Sequence, residues 1–323
     1  MSLPRRQFLH LAAGAATLVS VSRRAGAQSY PSRPVRFVVG FPAGSGPDII
    51  ARAVGQGLSE RIGQQFVIEN RPGAASNIAT EVVARATADG YTLLMVVATN
   101  TINATLYPNL GFNFMRDITS VGSLAGTAYA MLVNSSFPAK TVAEFITYAK
   151  ANPGKINMAS AGTGTGPHAV GELFKMLAGV DLVHVPYRSS YWPDLLGGQV
   201  QVVFSPMPSA ISYIQAGTLR ALAVTSATRS SMLPDVPAVQ EAVPGYEAIG
   251  WYGVGAPRDT PAAIIQRLND EVRAVLADPA MQERLIRLGA EPMPMTSADF
   301  GKFMSNETEK WARVIKFASM KPD

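Results

Sequence analysis

One local pattern occurs twice in this chain, and it constrains the fold more than any other feature. Near the N-terminus the hydrophobic run Val35-Arg36-Phe37-Val38-Val39-Gly40-Phe41 leads into Pro42-Ala43-Gly44-Ser45-Gly46-Pro47-Asp48, and a helical pattern follows. Far downstream, Ile156-Asn157-Met158-Ala159-Ser160 leads into Ala161-Gly162-Thr163-Gly164-Thr165-Gly166-Pro167-His168, again ahead of a helical pattern. Each is a strand, a glycine-rich turn and a helix start. Glycine lets the backbone turn tightly and come close to a ligand. Proline in the first helical turn is preset for the helix. The free N–H groups and the positive dipole end attract an anion. One such turn is ordinary packing in a βα unit. Two of them, on two halves of one chain, predict corners that face each other across a cleft and hold a small carboxylate.

The intervening sequence alternates strands and helices. Ile50, Val54, Leu58 and Ile62 recur every four residues, the stripe of an amphipathic helix. Phe66-Val67-Ile68-Glu69-Asn70 is a short strand, and Ile78, Val82, Val83 and Ala86 mark the next helix. Thr92-Leu93-Leu94-Met95-Val96-Val97 is apolar throughout after its first residue, as in a parallel strand buried on both faces. This βαβαβ order predicts right-handed crossovers and a doubly wound sheet. The pattern restarts at Met131-Leu132-Val133, with a helix over 142–149, a strand at 156–160, a helix from 167 to 178 and a strand at 182–186. Further strands are predicted at 200–204 and 219–224, and another at 249–254 with Trp251 and Tyr252. Helices over 262–276, 281–288 and 297–318, the last capped by Ser297, have no strands of their own. They are expected to pack back on the first sheet. The predicted fold class is therefore α/β, with two doubly wound lobes, a hinge and an interlobe ligand cleft. Lobe 1 is discontinuous, 28–127 plus 248–323, and lobe 2 is 128–247, with chain crossings near Gly126 and Gly245.

The first 27 residues read as an export signal. Arg5-Arg6-Gln7-Phe8-Leu9 is a twin-arginine pattern, though a general-secretion signal carrying two arginines fits the same residues. The apolar run that follows is too short for a bilayer span of about 20 residues. Ala25-Gly26-Ala27 is a small-x-small cleavage pattern, with cleavage expected near Ala27-Gln28 and the mature protein in the periplasm. The signal also explains the charge. The whole chain has 28 Lys+Arg and 23 Asp+Glu, but four arginines and no acids lie in residues 1–27, which leaves the remainder at +1. That balance, with no basic stripe carrying interleaved aromatics, excludes nucleic acid as an expected partner. Cysteine is absent, so disulfides, thiolate nucleophiles and cysteine-based metal sites are excluded.

Enzyme motifs fail. There is no G-x-x-x-x-G-K-[ST] loop and no G-x-S-x-G elbow. Of three histidines, His10 falls in the signal and His184 reads as a core residue of an apolar strand. His168 sits at a helix start, as a ligand contact or as a structural cap. Two histidines far apart, without an acidic cluster, predict no metal site. Gly164-Thr165-Gly166-Pro167-His168-Ala169 fits G-x-G-x-x-A, but the acid a dinucleotide would need lies before the next strand, at Asp181, not at its end. A nucleotide-dependent enzyme is thus the weakest reading, and no cofactor is expected.

The ordered motifs resemble the Bug-type extracytoplasmic receptors of tripartite tricarboxylate transporters. The resemblance rests on Pro31-Ser32-Arg33-Pro34-Val35-Arg36, on Gly40-Phe41-Pro42-Ala43-Gly44 before Asp48-Ile49-Ile50-Ala51-Arg52, and on Glu69-Asn70-Arg71-Pro72-Gly73-Ala74. It continues through Ala88-Asp89-Gly90-Tyr91-Thr92-Leu93, His184-Val185-Pro186-Tyr187-Arg188 and Asp194-Leu195-Leu196-Gly197-Gly198-Gln199-Val200. Leu219-Arg220-Ala221-Leu222-Ala223-Val224-Thr225-Ser226 and Leu233-Pro234-Asp235-Val236-Pro237 complete it. The resemblance implies a type 2 periplasmic-binding-protein fold without catalysis. It implies a monomeric receptor that passes a di- or tricarboxylate, amino acid or aromatic carboxylate to integral-membrane permease subunits. A ligand-sensing subunit of a signalling receptor would need the same cleft. The family's carboxylate contacts map to Phe41, Ala43, Gly44 and Asp48 at the first corner, and to Ser160, Thr163, Gly164, Thr165 and His168 at the second. Tyr187 and Arg188 fall near the cleft. The chain departs from the family pattern at Arg188-Ser189, where Lys-Gly is usual, and at Ser205-Pro206, where Asp-Asn is common. Tyr191 and Trp192 either favour a ring-bearing ligand or pack on the short helix.

Overall fold

The computed structural model describes residues 30–230 and 232–322, so the proposed signal and its cleavage site lie outside the described residues. The chain runs β1 (Val35–Val39), α1 (Gly46–Ile62), β2 (Phe66–Asn70), α2 (Asn77–Ala84), β3 (Thr92–Val97), α3 (Ala98–Leu106), α4 (Phe114–Asp117) and β4 (Ile118–Asn134). It continues with α5 (Val142–Ala151), β5 (Asn157–Ser160), α6 (Gly166–Ala178), β6 (Val183–Pro186), α7 (Trp192–Leu196), β7 (Val202–Pro206), α8 (Met207–Gln215) and β8 (Leu219–Val224). It ends with β9 (Ile249–Pro257), α9 (Ala262–Ala277), α10 (Pro279–Arg287), β10 (Glu291–Pro292) and α11 (Ser297–Phe317). From Arg33 onward the described chain is one compact unit.

The strands follow the order β2-β1-β3-β9-β4-β7-β5-β6, with β8 and β10 pairing β4 off this path. β1 pairs β2 and β3 in parallel, and β5 pairs β6 and β7 in parallel, so each Gly-rich turn leaves the end of a parallel strand. β3 is buried along its whole length, as its apolar run requires. The 17-residue β4 belongs to both halves of the sheet. Residues Ile118 to Ala128 pair antiparallel with β9, and Tyr129 to Val133 pair with β7. The partner changes between Ala128 and Tyr129, and the second crossing enters β9 at Ile249.

The sequence showed only the last part of β4, because Gly122 and Gly126 with Ser120, Ser123 and Thr127 interrupt its apolar pattern. These small residues have a packing reason. A Cβ on Gly122 would lie 2.6 Å from Asn269 Nδ2, and one on Gly253 of β9 would lie 2.1 Å from Phe300 Cζ. The helices over this part of the sheet therefore press directly on its backbone. α3 was also invisible in the sequence. Its run Ala-Thr-Asn-Thr-Ile-Asn-Ala-Thr-Leu is poor in helix formers, but Thr99, Asn100, Thr101 and Asn103 are buried and each takes part in at least one hydrogen bond. Asn100 Oδ1 accepts from Val97 N–H at 2.8 Å, and Asn100 Nδ2 donates to Thr80 Oγ1 at 2.9 Å.

Two sequence expectations are corrected. His184 is half-buried, because β6 ends the strand order and is an edge strand, not a core one. The last helix is capped by Thr296, whose side chain accepts from Asp299 N–H, while Ser297 Oγ donates to Ser120 O at 2.7 Å.

α11 ties the two halves together. Phe300 and Met304 pack with Trp251, Leu94 and Val96, whereas Trp311 and Ile315 pack with Phe145, Phe174 and Tyr246 of the other half. Buried Glu307 sits at the changeover and accepts from Trp251 Nε1 at 3.1 Å and Trp311 Nε1 at 3.0 Å. Removing it strands two buried indole N–H groups, each costing about 1–3 kcal/mol. Glu307→Ala is expected to lower unfolding free energy by about 2–4 kcal/mol, and Glu307→Gln by less, in urea titrations. Equal stability of Glu307→Ala and the parent would refute this role.

Candidate functional site

The two corners have the same backbone. Gly44 and Gly164 both lie at φ +78°. The N-cap residues Ser45 and Thr165 both lie at φ −74°, ψ 160°. Ser45 Oγ donates to Pro42 O at 2.6 Å, and Thr165 Oγ1 donates to Gly162 O at 2.7 Å. In each corner the left-handed glycine donates its N–H to the side chain four residues on. Gly44 N–H reaches Asp48 Oδ2 at 2.9 Å, and Gly164 N–H reaches His168 Nδ1 at 3.1 Å.

The two capping side chains are held by different chemistry. Buried Asp48 also accepts from Arg52 Nε at 3.0 Å and Asn70 Nδ2 at 2.9 Å. Burial alone would raise its pKa, but the hydrogen bonds from Arg52, Gly44 and Asn70 outweigh it and hold the carboxyl below 3.8. At His168 the acceptor role of Nδ1 requires a neutral ring with its proton on Nε2, which lies 3.6 Å from Glu172 Oε1. The ring stacks flat on His184, 3.7 Å between centroids and 3° between planes. His184 Nε2 is in turn 2.6 Å from Ser160 Oγ.

A cavity of about 380 Å³ lies between the two half-sheets. The first corner lines it with Phe41, Ala43, Gly44, Ser45 and Gly46, and the second with Ala161, Gly166 and Pro167. Strands β4 and β9 contribute Tyr129, Trp251 and Tyr252, and α3 contributes Thr99. Residues 189–192 and Ser209, Ser212 and Tyr213 of α8 close it. Among the described residues, no Lys, Arg, His, Asp or Glu lines it. Tyr252 Oη is buried and has no hydrogen-bond partner among the described residues. Burial pushes this phenol's pKa well above 10, so it remains a neutral O–H donor.

The predicted site residues divide accordingly. Phe41, Ala43 and Gly44 line the cavity, and Asp48 stands behind Gly44. Ser160, Thr163, Gly164, Thr165 and His168 shape the second turn without lining the cavity. The reason is that this turn rests on α3. A Cβ on Gly164 would lie 2.6 Å from Leu106 Cδ2 and 2.8 Å from Asn103 Oδ1, and Gly166 N–H donates to Thr99 Oγ1 at 3.2 Å. Tyr187 is turned to Asp194 at 2.5 Å, its pKa pushed up to about 12 by burial and by that carboxylate, and Arg188 is exposed. Neither lines the cavity. Tyr129, Tyr213 and Tyr252 were missed. For Tyr252 a signal existed: Gly250-Trp251-Tyr252-Gly253 sets an aromatic pair between strand glycines, where close backbone approach is expected.

An α/β fold whose half-sheets enclose a small uncharged cavity defines a solute receptor of the periplasmic-binding-protein class. The chain belongs to the tripartite tricarboxylate transporter family receptors, whose sequence model, TctC, matches residues 50–320. BugT of Bordetella pertussis is 32% identical to it over 90% of this chain and 90% of its own length. A structure from R. palustris described as containing adipate is similar with a TM-score of 0.88 and 36% identity, covering 91% of this chain and 100% of that one. MatC from Rhodopseudomonas palustris, with bound malate, is similar with a TM-score of 0.84 and 30% identity over 88% of this chain and 100% of its own. The family resemblance and the fold class read from the motifs are thereby borne out. The protein is a periplasmic solute-binding receptor of this family, which is a family of binding proteins and not of enzymes.

Asp48 carries a pH signature. Its folded pKa is depressed, so its contribution to stability is complete above the unfolded value of about 3.9 and is lost as pH falls through the folded value. Asp48→Asn is therefore expected to be less stable than the parent at pH 7 and to approach it at pH 3. Urea midpoints at the two pH values check this, and a stability gap of the same size at both would show that the carboxylate is not the source.

Proposed function

We propose that the receptor captures a small organic acid in the interlobe cavity and presents it to integral-membrane permease subunits of a tripartite tricarboxylate transporter. The observation that carries this reading is the start of α1 at the cavity wall, with Tyr252 Oη beside it and no charged side chain among the described lining residues. A carboxylate there would meet the backbone of Phe41, Ala43 and Gly44, the first-turn N–H groups of Gly46 and Asp48, Pro47 having none, and the positive end of the α1 dipole. Asp48 acts behind this corner by holding Gly44 N–H. The second corner, Ser160 to His168, keeps the start of α6 in register against α3. Relatives whose structures contain adipate and malate support a small carboxylate as the ligand class. The lobes, 28–127 plus 248–323 and 128–247, close on each other about the two crossings. Two to four charge-assisted hydrogen bonds of roughly 1.5–3 kcal/mol each are offset in part by the ordering of ligand and lobes. Micromolar affinity, about −8 kcal/mol, is within reach without an ion pair.

A thermal-shift screen of organic acids tests this. The true ligand at 100 times its Kd adds about 2.7 kcal/mol of stability. Gly44→Val is expected to abolish binding. A Cβ there meets no atom within 4 Å, so crowding does not disturb the fold, but φ +78° strains any side chain and the added group stands at the carboxylate's approach. Calorimetry decides it, and parental affinity in a folded Gly44→Val protein would place the carboxylate elsewhere. For export, Arg5→Lys with Arg6→Lys is expected to leave the protein in the cytoplasm. Normal periplasmic recovery of the double variant in fractionation would identify general secretion instead.

A further inference from the structure

The walls of the cavity differ in kind. At the start of α1 they are polar: an ideal Cβ on Gly46 would lie 2.8 Å from Tyr252 Oη, so the phenol and the first-turn backbone converge. Tyr252 is only 3% exposed and its hydroxyl is unpartnered among the described residues, a donor without an acceptor. Another stretch of wall is aromatic carbon. Trp192 and Tyr213 stack at 4.5 Å and 27°, and Tyr191 leans on Trp192 at 4.7 Å and 53°. Two polar handles of the aromatic lining are engaged away from the cavity. Tyr191 Oη pairs with Ser205 Oγ at 2.9 Å, and Trp251 Nε1 donates to Glu307.

Resting on the proposed receptor function, we infer that this cavity selects a monocarboxylate bearing one aromatic ring. Its carboxylate sits at the α1 start and accepts from Tyr252 Oη, and its ring lies against Trp192 and Tyr213. The anion has one polar wall and needs no cation there. A second carboxylate would find no lysine, arginine or histidine in the lining. It would face ring surfaces whose quadrupole is negative, with uncharged donors alone, among them the serine, Thr99 and tyrosine hydroxyls, to replace its water. A ring gains where that carboxylate loses, by offset or edge contact with the indole and phenol. The volume of about 380 Å³ is near the lower end for small-molecule sites and suits a single ring with a short side chain.

The test is calorimetry on the purified protein with acids of matched size. Benzoate, 4-hydroxybenzoate, phenylacetate and cinnamate carry one ring and one carboxylate, hexanoate lacks the ring, terephthalate adds a carboxylate, and adipate and malate lack the ring and have two carboxylates. At least one ring monocarboxylate is expected to bind at micromolar Kd, with hexanoate, terephthalate, adipate and malate at least 100-fold weaker. Tyr252→Phe is expected to weaken that ligand about 10-fold. Tyr213→Ala, with folding confirmed by circular dichroism, should weaken it at least 10-fold while leaving hexanoate unchanged. Tighter binding of adipate or malate than of every ring monocarboxylate would overturn the inference and leave the receptor function standing. Equal binding of hexanoate would overturn the role of the ring, and equal binding of terephthalate the single charge. Absence of binding by every acid tested would overturn the carboxylate-receptor reading itself.

Discussion

The architecture depends on one recurrent hydrogen bond, from the N–H of a left-handed glycine to the side chain four residues later. That bond fixes the turn between a parallel strand and a helix, and so fixes where the helix starts. It is made twice, to Asp48 and to His168, on backbones with matching dihedrals. Yet the two starts are put to different uses. At α6 the first amide is already taken by Thr99 of α3, so the second corner is a contact between the halves as well as a part of the cavity wall. At α1 the start lines the cavity with a buried, unanswered phenol beside it. The symmetry is one of local folding, and the asymmetry comes from what packs in front of each turn.

Opening and closing a cleft requires halves that move without coming apart. β4 meets that need by continuing unbroken from one half-sheet to the other, so its backbone hydrogen bonds remain made on both sides of the crossing. α11 adds a second tie: its Glu307 bonds Trp251 of β9 and its own Trp311, and that Trp311 packs into the core of the other half. A buried carboxylate with two N–H donors is stable only while both stay in place. It therefore anchors α11 on β9 while Trp311 of the same helix packs against the other half.

How much of this was legible in the sequence follows from where the information lay. β1, β3, α1 and α6 announced themselves by apolar period and turn residues, because each buries one stripe or both faces in a conventional way. The first corner was legible for the same reason, since Gly44, Pro47 and Asp48 have local roles. Most of β4 and all of α3 were not. Their residues are chosen for tertiary fit: glycine under Phe300 and Asn269, asparagine and threonine within a buried hydrogen-bond network. The contact of the second corner with α3 was hidden for a related reason. The residues of the turn were identified, but nothing in a turn reveals that a polar helix the sequence hides will lie against it.

That helix also packs against the longest run of positive-φ residues other than glycine among the described residues. Ala74, Ala75 and Ser76 all have positive φ, of 45°, 49° and 71°. Three successive non-glycine residues in this region are costly and persist only when the surroundings over-determine them. The surroundings here are the two corners. Ser76 presses on the end of β1, where a Cβ on Gly40 would lie 1.9 Å from Ser76 Oγ. Ala75 O accepts from Asn103 Nδ2 at 2.6 Å, and Asn103 Oδ1 in turn backs Gly164. Ser76 Oγ, Asn77 Nδ2 and Asn103 Oδ1 are buried without hydrogen-bond partners. Strain and unsatisfied polar groups thus concentrate in the short path that joins the first corner to the second. A turn relaxed by glycine would cost less to form, but it would hold α3, and with it the second corner, less firmly against the first.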